Sequence, residues 1–159
     1  MTVPWVWQRD AGILKVDGTD YECLSNVRNE LNGKRRLHDS KEVVRMIPTS
    51  HPYMPRPFPL GRWSILGVIR RHPGDPRYNV LGPVFIRTDA SQVLPVWALD
   101  SLGGYDHETD ELVMDTAYGL HASPDSLTTW GCGRLSSATV ARELGRLVDI
   151  NDRIILEVV

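Results

Sequence analysis

The sequence predicts a mainly β protein of the α+β class, with one C-terminal helix packed on the sheet and a strand ending the chain. Three observations carry this. Short β-prone runs separated by turn residues recur along most of the chain. Five prolines, Pro48, Pro52, Pro55, Pro57 and Pro59, crowd one stretch that can be neither helix nor central strand. Only residues 138–148 carry apolar positions at helical spacing.

Pro4-Trp5-Val6-Trp7-Gln8 is apolar and β-prone, and Arg9-Asp10-Ala11-Gly12 turns the chain into Ile13-Leu14-Lys15-Val16. Asp17-Gly18 is a strong hairpin signal, because both residues tolerate positive φ. Tyr21-Glu22-Cys23-Leu24 then pairs back, completing an N-terminal β-meander. Residues 25–45 are polar and charged, with Asn32-Gly33 at a turn. They predict a long irregular loop with a short helical turn over 40–45. After the proline-rich segment 48–59, strands resume at Arg62-Trp63-Ser64-Ile65-Leu66-Gly67-Val68-Ile69, at Val84-Phe85-Ile86 and at 92–99. His72-Pro73-Gly74-Asp75-Pro76 is a loop, Gly103-Gly104 a turn, and Leu112-Val113-Met114 leads into Tyr118-Gly119-Leu120-His121. Ser136 or Ser137 caps the helix; Val140, Leu144, Leu147 and Val148 form its apolar stripe, with Arg142, Glu143 and Arg146 opposite. Ile154-Ile155-Leu156-Glu157-Val158-Val159 reads as a buried terminal strand.

At 159 residues one domain is expected, 1–159, divided into the N-terminal meander and loop (1–47) and the remainder (48–159). The formal net charge is −2, but residues 1–80 carry 13 basic and 8 acidic side chains, and residues 81–159 carry 5 and 12. No basic block is interleaved with aromatics, which argues against nucleic acid as a partner. No run has the length of a membrane span, and the first residues lack the pattern of a secretory signal. Two cysteines, Cys23 and Cys132, make no disulfide framework and show no zinc-finger spacing. The simplest reading is one buried thiol and one thiol with a chemical task.

Cys132 lies in Thr128-Thr129-Trp130-Gly131-Cys132-Gly133-Arg134-Leu135. Flanking glycines permit positive φ and close backbone approach, which a turn needs to expose a thiol and aim N–H groups at a substrate oxygen. Alone, Cys132 reads equally as a small buried hydrophobe, and His121 as a structural histidine. Their joint context is more specific. Tyr118-Gly119-Leu120-His121-Ala122-Ser123 resembles the Tyr-Gly-Ile-His-Gly-Thr stretch of the L,D-transpeptidases. Thr129-Trp130-Gly131-Cys132-Gly133-Arg134-Leu135 resembles their Ser-His-Gly-Cys-Ile-Arg-Leu stretch, and Pro59-Leu60-Gly61-Arg62-Trp63-Ser64-Ile65 is similar to their Thr-Pro-x-Gly-x-Phe/Tyr-x-Ile strand. Histidine precedes cysteine, as in that family; papain-like peptidases have the reverse order. Trp7-Gln8 and Gly12-Ile13-Leu14 are similar to compact, leaderless relatives from phages and bacterial effectors. Ala122, Trp130 and Gly133 depart from the family pattern, which has glycine, histidine and an aliphatic residue there. Eleven positions separate His121 from Cys132, a short spacing.

The resemblance implies a curved β-sheet or sandwich with the closing helix and strand, 48–159 being the catalytic core. It implies acyl transfer through a thioester on Cys132, with His121 as base and acid. Gly131, Gly133 and Thr129 would shape the oxyanion site, and Arg134, Trp130 and Tyr118 would contact substrate. Trp130 reads alternatively as core, and Arg134 as a structural ion pair. A backbone carbonyl or Asp115 would orient His121. No cofactor or metal is implied. The implied partner is a peptidoglycan stem peptide at the bacterial cell wall. Delivery would be by a phage particle, a secretion system or a leader outside this sequence, with virion or effector-complex proteins as further partners. The proline-rich segment and the turns near 74 and 103 are the expected walls of the site. Three other readings stay open: a sortase-like transpeptidase, which the short His–Cys spacing disfavours; a zinc site, which lacks a third ligand; and a non-catalytic wall-binding or tail module on the same fold.

Overall fold

The structure is a computed structural model that describes residues 4–25, 30–31, 34–38, 44–48, 58–94, 113–115, 118–122 and 132–159. Eight strands close into a barrel. In chain order they are β1 (Trp5–Gln8), β2 (Ile13–Val16), β3 (Thr19–Leu24), β7 (Gly61–Arg70), β8 (Val84–Thr88), β11 (Gly119–His121), β12 (Gly133–Leu135) and β13 (Ile154–Val158). Around the ring the order is β1-β13-β7-β8-β11-β12-β3-β2. The expected curved sheet therefore curls until its edges meet, which leaves no unpaired edge strand in it. Two pairings are parallel, β1 with β13 and β11 with β12; the other six are antiparallel.

The N-terminal meander is as expected. Asp17 and Gly18 both have positive φ, 49° and 82°, and the hairpin pairs Val16 with Thr19 and Leu14 with Tyr21. Alternation then sends Leu14, Val16 and Cys23 into the core. Trp7 fills the centre of that core, fully buried. Its indole N–H donates to the Cys23 carbonyl at 2.9 Å.

β7 carries a bulge. Ile65 pairs with Thr88 and Gly67 with Arg87, so Leu66 has no partner across the ladder. Leu66 is consequently 54% exposed, on the outer side of the barrel.

Residues 25–45 correct the sequence reading. A three-stranded sheet, β4 (Glu30–Leu31), β5 (Lys34–His38) and β6 (Val44–Pro48), occupies ground expected to be loop. Val44 and Arg45, expected in a helical turn, pair with His38 and Leu37 in β6. Polarity misled here because backbone ladders satisfy a meander without a continuous apolar run. Asn32-Gly33 does separate two paired strands, with Leu31 opposite Lys34. A second small sheet pairs β9 (Gln92–Leu94) with β10 (Val113–Asp115). The rest of the 92–99 strand and the Gly103-Gly104 turn lie outside the described residues.

A single helical turn, α1 (Tyr78–Leu81), was not expected. The long helix α2 (Ala138–Ile150) was. Ser137 caps it, accepting from the Val140 N–H at 3.1 Å, and Asn151 closes it by donating to the Leu147 carbonyl at 2.6 Å. α2 joins β12 to β13, which have three strands between them on either path round the ring. The connection must therefore cross the barrel, and side-chain ties mark the crossing. Glu143 accepts from the Tyr21 hydroxyl on β3, and Asp149 pairs with Arg70 at the end of β7. Ala141, Leu144, Gly145 and Val148 are buried beneath it, while Val140 and Leu147 pack at the margin.

Candidate functional site

The site grows from the parallel pairing of β11 and β12. In that register Leu120 lies opposite Gly133 and His121 opposite Arg134. Alternation divides the four. Leu120 faces the core, fully buried, and a Cβ built on Gly133 would meet Leu120 at 2.5 Å, Cys23 Sγ at 2.8 Å and Trp7 at 2.9 Å. Gly133 is thus a close-packing glycine inside a strand. Its φ is not positive, so the expected turn role at that position does not hold.

Cys132, one residue before β12, lies on the other side. It is half-buried and lines a groove of about 650 Å³. Tyr118, Phe85, Arg71, Arg77 and Arg87 line the same groove. Leu66, displaced outward by the β7 bulge, and Ile69 add an exposed apolar flank. Tyr118 serves two roles: its ring packs edge-on against buried Phe58, with centroids 5.4 Å apart, while part of it reaches the groove. Thr88 holds its backbone, donating through Oγ1 to the Tyr118 carbonyl at 2.6 Å.

His121 does not line the groove. It is 3% exposed, one strand over from Arg134, with its ring 5.8 Å from that of Phe85. Burial lowers its pKa to about 4, and the positive charges of Arg134 and Arg71 add to the effect. The imidazole is therefore neutral at pH 7. The arrangement opposes its protonation.

The structure thus brings Tyr118, His121, Cys132, Gly133 and Arg134 into one neighbourhood of adjacent strands. Thr129, Trp130 and Gly131 lie outside the described residues. So does most of the proline-rich wall; its described end, Phe58 and Pro59, is buried instead. Phe58 packs against Trp7 at 5.0 Å and accepts from the Arg9 guanidinium through its carbonyl. Of Asp115, the backbone pairs with Gln92, away from the barrel ladder. The turn around Gly74 does approach the site, through Asp75 and Arg77. Sequence reasoning missed Arg71, Phe85 and Arg87. The available signal was Arg70-Arg71 ending an apolar strand, where cations border a core rather than enter it.

Fold and groove together define a closed β-barrel with a thiol on the wall of a cationic cleft. No family model matches the chain, and neither the curated proteins nor the solved structures provide a match. Among the described residues no group of three or more His, Cys, Asp or Glu side chains is placed to hold a metal, and no helix is long and apolar enough to cross a membrane.

Proposed function

We propose that the protein is a cysteine acyltransferase of the L,D-transpeptidase kind, acting on peptidoglycan stem peptides at the bacterial cell wall. The observation that carries this reading is the β11–β12 pairing, which sets the His121 strand directly beside the strand that Cys132 opens. The thiol attacks a peptide carbonyl lying in the groove, and backbone N–H groups beside Cys132 stabilise the oxyanion. His121 receives the thiol proton and passes it to the departing amine. A base held near 4 does not support a standing thiolate–imidazolium pair. The proton therefore moves in step with attack, as negative charge passes from sulfur to the carbonyl oxygen. Water or an amine then resolves the thioester. The test is incubation with purified muropeptides followed by mass spectrometry. Wild type is expected to cleave or exchange the terminal residue and Cys132→Ala to leave it intact; turnover by the alanine variant would refute the reading.

A second reading, a non-catalytic module that binds cell wall, is favoured by one observation: His121 is buried behind the groove wall and not on it. Thiol reactivity separates the two. Incubated with muropeptide, a catalytic Cys132 acquires the mass of the acyl donor as a thioester, whereas a structural thiol stays unmodified.

A further inference from the structure

The groove beside Cys132 contains a cation with one buried nitrogen that has no hydrogen-bond partner among the described residues. Arg71 follows the last residue of β7, and its N–H donates to the Pro83 carbonyl at 2.9 Å, which fixes where its side chain starts. That side chain is only 9% exposed. Its Nε lies 4.0 Å from Asp75 Oδ1, a long contact, and the same oxygen already accepts from the Arg77 N–H at 2.9 Å. The guanidinium carbon sits 5.9 Å from the centroid of Phe85, a cation–π distance. Nη1 is buried and has no hydrogen-bond partner among the described residues. Buried donors are nearly always satisfied, so an orphaned guanidinium nitrogen in a groove wall calls for an acceptor from outside.

The surroundings define that acceptor. Among the described residues, Arg77 and Arg87 add two positive charges to the lining against one carboxylate, Asp89, which accepts from the Ser64 N–H at 2.6 Å. The described lining is therefore net cationic. Leu66 and Ile69, 54% and 37% exposed, supply an apolar flank. A planar guanidinium in such a place matches a carboxylate by two parallel hydrogen bonds.

We propose that Arg71 is a carboxylate-binding residue that selects peptide-like ligands bearing a free carboxylate and seats them in the groove against Cys132. The consequence for reaction rests on the acyl-transfer reading, whereas the anion contact does not. On that reading Arg71 orients the acyl donor by its carboxylate, and the apolar flank takes the adjoining aliphatic part.

The experiment compares two alkylating reagents of similar size, iodoacetate and iodoacetamide, on wild type, Arg71→Gln and Arg71→Lys at pH 7. Mass spectrometry assigns the adducts to Cys132 or Cys23. Wild type is expected to react saturably with iodoacetate at Cys132, roughly tenfold faster than with iodoacetamide, the effect of one charge-assisted hydrogen bond. Arg71→Gln loses the preference, and Arg71→Lys keeps part of it. In parallel, N-acetylglycine and its amide are titrated while the Arg71 Nε–H resonance is followed by NMR. The acid alone is expected to shift it saturably. This arm reads the contact even where the thiol is inert. A selective shift with an unreactive Cys132 upholds the carboxylate site and counts against acyl transfer. If neither measurement shows a preference for the anion that depends on Arg71, the proposal is overturned.

Discussion

Cys23 in β3 and Cys132 at the entrance of β12 lie on adjacent strands, yet their surroundings share almost nothing. Cys23 faces inward among Trp7, Gly133 and Leu135, fully buried. Burial pushes its thiol well above the ordinary range, and the neighbouring Cys132 and Glu22 push it the same way. Cys132 faces outward, into a groove with three arginines. Strand alternation separates them, since residues one apart point to opposite faces. One strand thus seals the core with one side and presents chemistry with the other. Gly133 makes this possible: it yields its inward space to Cys23, Leu120 and Trp7 so that its neighbours can approach.

The sharpest way to break this comparison is to exchange the fates of the two thiols. Cys132→Ala is expected to lower muropeptide turnover at least about 10³-fold with little change in unfolding midpoint, as for loss of a nucleophile. Cys23→Ala should do the reverse, keeping turnover while costing about 1 kcal/mol in urea unfolding. Equal losses of activity from both would erase the distinction.

The inner face should be the more sensitive to truncation. Trp7→Ala removes the largest buried side chain, its edge-on contact with Phe58 and its hydrogen bond to the Cys23 carbonyl. A loss of about 3–5 kcal/mol is expected by chemical denaturation. A loss under half that would mean the core is not centred on Trp7.

The outer face should reveal itself through pH. His121 has a folded pKa of about 4 against an ordinary value of 6.5. Between those values the unfolded chain binds the proton and the folded one does not. The stability linked to neutral His121 is therefore full above 6.5 and drains away as pH falls toward 4. The difference amounts to about 3 kcal/mol. Unfolding free energies of wild type and His121→Gln, measured from pH 7 to pH 4, should diverge by that amount, with wild type losing more. Parallel curves would place the imidazole in water.

The smallest expected effect tests the seam between the faces. Gly133→Ala inserts one methyl group against Leu120, Cys23 and Trp7, and should cost about 1–3 kcal/mol through overpacking. A neutral result would show that the seam has slack.

Local chemistry made much of this legible in advance. The Asp17-Gly18 hairpin, the Ser137 cap, the apolar stripe through Leu144 and the terminal strand each follow from propensity and patterning over a few residues, and each is present. The sequence proximity of His121 and Cys132 to glycines and to one another drew attention to two segments that pair as β11 and β12. What stayed hidden depended on distant partners. Residues 30–31, 34–38 and 44–48 pair as strands despite their polarity. Gly133 reads as a turn residue until its inward neighbours, more than a hundred positions away in the case of Cys23 and Trp7, are in place. Phe58 sits in a run of prolines that predicts a loop, and is drawn into the core by Trp7 and Tyr118.

By itself, then, the sequence determined the strand-rich class, the hairpin, the capped helix and two residues worth watching, because propensity, alternation and capping act over a few positions. Only the tertiary structure decided that the sheet closes, that α2 crosses the barrel, that His121 stands behind the groove rather than in it, and that Arg71 meets Cys132 across one cleft. Those outcomes depend on which strands meet. Ring closure sets strand neighbours by summing long-range backbone pairings and buried area, and no short window of sequence contains that sum.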